Sequence, residues 1–320
     1  MTEILPLLIG GLALFLYAIT QLSDTLTELF TEKAKEIVKT YTSNIFSAIA
    51  IGTLLTILLG SSSAMIIIVI VFINAKSLNF KQSIGLIMGA NIGTTFSSQI
   101  IALDIGKYSI IALFVGLVFE VFVKNKQRRL YGKSILYFGM LFFGLYIMEN
   151  ALGPLKNSQT FLDWIAKVEG NPTQGALIGG LVTLIIQSSS GTVGMAILLG
   201  KQNVLSIAGG IAIMLGAELG TCSDTLLATI NGRREALKAG LFHLCFNLIT
   251  IVMGLFLFQP FMSLVNVISR TTDIGGVIAN AHMLFNILGV LVFLPFVRLS
   301  EKLLNTMLPD KKSTTESVKE

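Results

Sequence analysis

Charge is scarce in this chain. Only 13% of its 320 residues are Asp, Glu, Lys or Arg, against roughly 25% in an ordinary soluble domain. With 53% apolar residues and a mean hydropathy of +0.79, that deficit excludes a soluble globular domain. The fold class is an all-α polytopic membrane protein, counted in spans of about 20 residues. Cysteine and histidine are nearly absent, with two of each. Cys222 and Cys245 stand alone in apolar sequence without a CxxC, which argues against a disulfide or metal pair and leaves small packing residues. His243 and His282 bring no cluster of ligating residues with them, so no transition metal and no cofactor is expected. A basic n-region is missing as well: Glu3 precedes the first apolar run, and no small-residue cleavage site follows it, so no secretory signal peptide is expected. The net charge of +5 does not indicate nucleic acid, because the basic residues gather in loops between apolar runs, as the positive-inside rule expects.

What is present, against that background, is a polar stretch inside apolar sequence: Gln187-Ser188-Ser189-Ser190. Hydrogen-bonding side chains set in lipid cost free energy unless they are paired. The stretch has a twin in Gly60-Ser61-Ser62-Ser63, offset by 188 − 61 = 127 residues. The offset runs on without a gap, pairing Gly52 with Gly179, Thr56 with Thr183, Gly89-Ala90 with Gly216-Ala217 and Gly93-Thr94 with Gly220-Thr221. These matches include rare polar positions, so a duplication explains them better than two similar apolar helices with tolerated serines.

Taken in order, Ile4 to Leu22 is a first span, and Ser23 to Thr42 continues as an amphipathic surface helix. Ile45 to Leu59 and Ala64 to Ile73 are each short for a span and flank a polar tip, which reads as a re-entrant helical hairpin; two tilted full spans are the alternative. Gly175 to Gly200 repeats the pattern. Ser83 to Ala102 and Val204 to Ile230 carry Gly and small polar residues in mid-span, at Gly89 to Thr95 and Gly216 to Thr221, which predicts broken transmembrane helices lining a cavity. Tyr108 to Val123, Ser134 to Leu152, Leu241 to Phe258 and Val277 to Val297 are further spans. The basic loops, Lys124 to Lys133 and Asn231 to Lys238, are placed in the cytoplasm; Pro154 to Gln174, with interfacial Trp164, and Ser263 to Asp273 are placed outside. Counted from these, the two copies have opposite topology, the inverted repeats of many secondary transporters. The expected division is residues 1–132 for the first repeat, 133–299 for the second with an additional last helix, and 300–320 for a cytoplasmic polar tail, disordered beyond Pro309.

A hairpin tip exposes helix ends. Helix N-termini with serine hydroxyls suit an anion, and hydroxyl, carbonyl and amide oxygens suit a small hard cation. The two together fit a small oxyanion bound with Na⁺, the cation offsetting the anion's charge in low dielectric. A bond from each serine to its own helix is the bland reading, which poorly explains two matching triplets.

The doubled serine motif followed by Gly-Ala-x-x-Gly-Thr, with His243-Leu244-Cys245-Phe246-Asn247 and His282-Met283-Leu284-Phe285-Asn286, resembles the type II sodium/phosphate cotransporter family over about Ile4 to Val297. The resemblance implies Na⁺-driven symport of inorganic phosphate by alternating access in a multi-pass plasma-membrane protein. It also implies substrate contacts from Ser61, Ser62, Ser63, Gln187, Ser188, Ser189 and Ser190. Asn91, Thr94, Thr95, Glu218 and Thr221 are the expected Na⁺ ligands. Two departures stand out. Gly60 occupies a position where the family has Gln, and Glu218 one where the family usually has Asn. A mid-span carboxylate is a functional candidate by default, so another oxyanion or a proton-coupled variant using Glu218 stays open. Asp224, one turn beyond Thr221, faces either the same cavity or the cytoplasmic exit. The two histidines, each four residues before an Asn, are expected to make helix-to-helix hydrogen bonds. An intramembrane serine hydrolase is the remote alternative, since one nucleophile and base would not need a duplicated motif. A homodimer is compatible with the sequence, which does not fix the oligomeric state.

Overall fold

A computed structural model of the chain describes residues 4–309, apart from 43, 104, 156–158, 160–162, 164, 167–168 and 271–272. The interfacial placement of Trp164 and the disorder expected beyond Pro309 lie outside the described residues. Among them the regular structure is helical throughout.

The chain opens with α1, Ile4–Tyr41, a single helix of 38 residues and so roughly 57 Å long. It joins the first span and the amphipathic segment without a break. Two pairs of short helices carry the serine motifs. In the first, α2 (Ile45–Leu59) ends at Gly60 with φ +66°, and α3 (Ser62–Asn74) starts from an extended Ser61. α4 (Phe80–Ile101), α5 (Ser109–Phe122) and α6 (Lys126–Leu155) follow. In the second pair, α7 (Pro172–Ile186) ends at Gln187 with φ +53°, and α8 (Ser189–Lys201) starts from an extended Ser188. Every boundary of the second pair is that of the first moved by 127 residues. One left-handed residue followed by one extended residue turns the chain between helices in both. Helices of 13 to 15 residues reach only about 20 Å, short of a hydrocarbon core of about 30 Å.

Each pair lies against a long partner. α2 packs along α4, and α7 packs along α9 (Ile207–Gly220). Glycines allow both approaches, at matched positions. A Cβ on Gly52 would stand 2.3 Å from the Leu86 carbonyl oxygen, and one on Gly179 would stand 2.1 Å from that of Ile213. Gly89 meets the Ile49 oxygen at 2.0 Å in the same way, and Gly216 meets that of Ala176 at 1.7 Å. This use of small residues is how helices approach closely where lipid supplies no hydrophobic drive.

That packing corrects one expectation. α4 is a continuous helix through Gly89 to Thr95: its glycines are there for contact, not unwinding. The second copy does break, but at Thr221, where α9 gives way to the short α10 (Cys222–Leu227).

The remaining helices are α11 (Arg234–Phe256), α12 (Phe258–Ile268), α13 (Ile274–Phe293) and α14 (Val297–Met307). Four expected loops are therefore largely helical, Asn231 to Lys238 among them, since α11 takes in Arg234 to Lys238. Lys126, Arg128, Arg129 and Lys133 sit on the first turns of α6, Ser263 to Ile268 lie in α12, and the start of the polar tail is the amphipathic α14. Length and charge placement misled here, because a membrane helix often carries its charges on turns beyond the apolar window. α5 has only 14 residues. Among the described residues six helices are long and apolar enough to cross a membrane. One core cluster joins α2, α3 and α4 to α11, with Phe242, Phe246 and Phe293 packed edge to face or stacked. The other joins α1, α6, α8, α9 and α13.

Candidate functional site

The turn between paired helices explains why serine stands where it does. Ser61 Oγ accepts from the Ala64 backbone N–H at 3.1 Å, and Ser188 Oγ from that of Gly191 at 3.0 Å. Each is an N-cap, satisfying one of the donors a helix start leaves open. The hydroxyl hydrogens of both remain to be donated elsewhere.

Both helix starts line one cavity of about 260 Å³. Its walls include Gly60, Ser61, Ser62 and Ser63 from the first motif and Gln187, Ser188, Ser189 and Ser190 from the second. The positive ends of α3 and α8 thus converge on one space rimmed by hydroxyls and an amide, a setting suited to an oxyanion. α1 supplies Ile19, Thr20, Ser23 and Asp24, and Thr221 closes the break between α9 and α10. Ser63 Oγ donates to Asp224 Oδ2 at 3.2 Å, while Ser223 Oγ donates to its other oxygen at 3.2 Å. Asp224 is thereby tied to the first motif.

Of the residues expected to hold Na⁺, only Thr221 lines this cavity. Thr94 and Thr95 donate to the carbonyl oxygens of Ala90 and Ile92 in their own helix, at 3.0 and 2.7 Å. Asn91 and Glu218 belong to a buried network between helices. Asn91 Nδ2 donates to Asn247 Oδ1 at 2.7 Å, and Asn247 Nδ2 donates to the Glu218 carbonyl oxygen at 2.9 Å. The Glu218 carboxylate lies 2.6 Å from His282 Nε2, whose Nδ1 is 2.7 Å from Ser98 Oγ. A carboxylate that takes the Nε2 hydrogen leaves Nδ1 to accept from the serine hydroxyl. His243 Nδ1 pairs with Thr225 Oγ1 at 2.9 Å. Neither histidine is hydrogen-bonded to a serine of the two motifs among the described residues, so the serine–histidine pair of a hydrolase is not assembled there.

Sequence reasoning missed the contribution of α1. Thr20, Ser23 and Asp24 share one helical face by their i, i+3 and i+4 spacing. That spacing, at the end of the first apolar run, was the available signal. Treating Ser23 onward as a separate surface helix concealed it.

The profile of the Na⁺/Pi-cotransporter family matches residues 14–150 and again 155–292, which together span most of the chain. The Bacillus subtilis protein YqeW is 30% identical over 299 residues, covering 93% of this chain and 96% of that protein. A Salmonella typhimurium protein, provisionally named inorganic phosphate export protein YjbB, is 22% identical over 82% of this chain, which spans only 48% of its length. Human sodium-dependent phosphate transport protein 2B is 34% identical over 134 residues, 38% of this chain and 19% of that protein. No solved structure matches. The doubled serine tips around one cavity, the apolar helices and the family match lead to one assignment: this chain is a membrane protein of the Na⁺/Pi-cotransporter family, a family of phosphate transporters and not of enzymes.

Proposed function

We propose that the protein carries inorganic phosphate across the plasma membrane in symport with Na⁺, by alternating access. The observation that carries this reading is the convergence of two serine-capped helix starts on one cavity. Phosphate binds there through the hydroxyls of Ser61 to Ser63 and Ser188 to Ser190, the Gln187 amide and free backbone N–H groups. Na⁺ offsets part of its charge from the side of Asp24, Thr221 and Asp224, since an unpaired dianion in low dielectric is very costly. Asn91, Thr94, Thr95 and Glu218 support those ligands from behind and do not hold the ion in this state.

The short helix pairs act as re-entrant hairpins, and the two copies as inverted repeats about the cavity. The matched boundaries and matched glycine contacts support a duplicated frame, and inverted repeats with sites at the midplane are a recurring transporter plan. The Lys/Arg bias places α14 and the C-terminus in the cytoplasm. Rocking one copy against the other opens the cavity to each side in turn, and the gradients set the direction. Association of the bilayer-embedded chain as a homodimer is compatible with this mechanism.

The test is uptake of labelled phosphate by proteoliposomes holding the purified protein, under an imposed Na⁺ gradient. Gradient-dependent uptake is expected, and collapsing the gradient with a Na⁺ ionophore abolishes it. Phosphate uptake indifferent to Na⁺ refutes the coupling, and transport of another oxyanion but not phosphate refutes the substrate. The buried Glu218–His282 contact favours one second reading, coupling to protons; uptake driven by a pH gradient without Na⁺ would establish it instead.

A further inference from the structure

A second cavity, of about 350 Å³, adjoins the serine cavity between α1, α2, α4 and α6. The two share Ile19, Ser23 and Gly60 as walls. Beyond those the second space is lined mainly by apolar side chains, Leu26, Ile57 and Phe138 among them. Ser134, one of its few polar neighbours, has its hydroxyl donated to the Leu130 carbonyl oxygen of its own helix. A polar chamber that suits an anion thus abuts an apolar chamber that suits hydrocarbon.

Gly60 stands at the boundary, and it is where the two copies differ. Its counterpart Gln187 carries an amide on nearly the same backbone, with φ +53° against +66°. The left-handed conformation therefore does not require glycine at this turn. Crowding does not require it either, since a Cβ on Gly60 would meet only Leu26 Cδ1, at an ordinary 3.4 Å. With no side chain, Gly60 puts nothing beyond its backbone between the two cavities.

Resting on the phosphate reading above, we propose that the site also takes phosphonates and phosphate monoesters bearing an apolar substituent. The tetrahedral anion sits on the helix starts of α3 and α8. The substituent passes Gly60 into the chamber between α1, α2, α4 and α6, where it leaves water. A cavity of that size falls at the lower end of small-molecule sites, about 300–1,000 Å³.

The experiment compares phenylphosphonate with methylphosphonate as inhibitors of labelled-phosphate uptake by the full chain in proteoliposomes. Burial of the ring predicts half-inhibition at an about tenfold lower concentration for the phenyl compound. Gly60→Gln, which copies the side chain of the matched turn, and Ser97→Phe, which fills the apolar chamber away from the serines, each bring the ratio of the two close to one. Equal inhibition by both compounds in the unaltered protein, as expected if lipid chains fill the chamber, overturns the proposal. So does a preference that survives both variants. Should the protein take up no phosphate at all, the transport reading fails separately. Calorimetric titration of the purified protein with the same two compounds then decides the proposal by the same ratio.

Discussion

Replacing Gly216 by Ala puts a methyl carbon 1.7 Å from the Ala176 carbonyl oxygen. Real contacts of this kind do not fall below 3.0 Å, so α7 and α9 must part by more than 1 Å at their crossing. The obstacle is backbone and cannot rotate aside. A gap of that order forfeits a quarter to a half of each neighbouring dispersion contact, and overpacking of this severity costs about 3 kcal/mol. The better helix propensity of Ala returns about 1 kcal/mol. The net loss is therefore about 2 kcal/mol, or roughly 3 °C in Tm for a chain of 320 residues. Cysteine placement supplies the assay, because Cys222 is buried and Cys245 exposed. In a Cys245→Ser background, a thiol-reactive dye reports unfolding through Cys222 alone. Gly10→Ala is the control, since a Cβ there meets no heavy atom within 4 Å; its Tm should stay level or rise. A Gly216→Ala protein as stable as Gly10→Ala would refute the close crossing, and with it the packing account of the paired helices.

Three further outcomes follow from the site. Ser189→Ala removes a cavity hydroxyl that is not a cap, so KM for phosphate should rise about tenfold with little change in Tm; an unchanged KM in the uptake assay counts against the substrate assignment. Asp24→Asn should weaken the Na⁺ dependence of uptake, seen as a rightward shift of the Na⁺ activation curve, and an unmoved curve removes Asp24 from the cation site. Glu218→Ala leaves His282 Nε2 without its partner at a buried position, and should cost about 1–3 kcal/mol by dye-detected melting. Glu218→Gln keeps a hydrogen bond and should melt nearly as the unaltered protein does. If it also leaves the Na⁺ and pH dependence of uptake unchanged, Glu218 is structural.

The sequence showed the helical membrane class, the duplication and the serine tips because each has a local signature: scarce charge, a fixed offset, and polar residues in apolar runs. It did not show what the mid-span glycines were for. Gly89 and Gly93 in apolar sequence fit an unwound helix as well as a helix crossing, and only the neighbour at Ile49 and Thr56 decides for the crossing. Asn91, Thr94, Thr95 and Glu218 do not line the serine cavity, for a related reason. Each is polar and mid-span, but the direction of a side chain depends on where other helices lie, and α11 and α13 take up Asn91 and Glu218. Asp24 was hidden by an assumed boundary that α1 does not have.

The two copies keep the same frame and differ in what hangs on it. Ser98 and Thr225, 127 residues apart, each pair with Nδ1 of a histidine, one on α13 and one on α11. At the next matched position the chemistry diverges, with an amide on Asn247 for Asn91 and a carboxylate on His282 for Glu218. Thr183 donates to Thr192 at 2.7 Å, whereas the matched Thr56 has Met65 in place of that threonine, and its buried hydroxyl finds no partner among the described residues. Asn91 of α4 donates across the copies to Asn247, and Ser98 of α4 pairs across them with His282, whereas the bond from Asn247 to the Glu218 carbonyl oxygen of α9 lies within the second copy. On the proposed alternating-access reading, rocking of one copy against the other has to carry those cross-copy bonds along or break them. The copies also meet through apolar packing, with Phe80 of α4 edge to face against Phe242 of α11, so such a motion has to slide a packed core as well as exchange polar bonds.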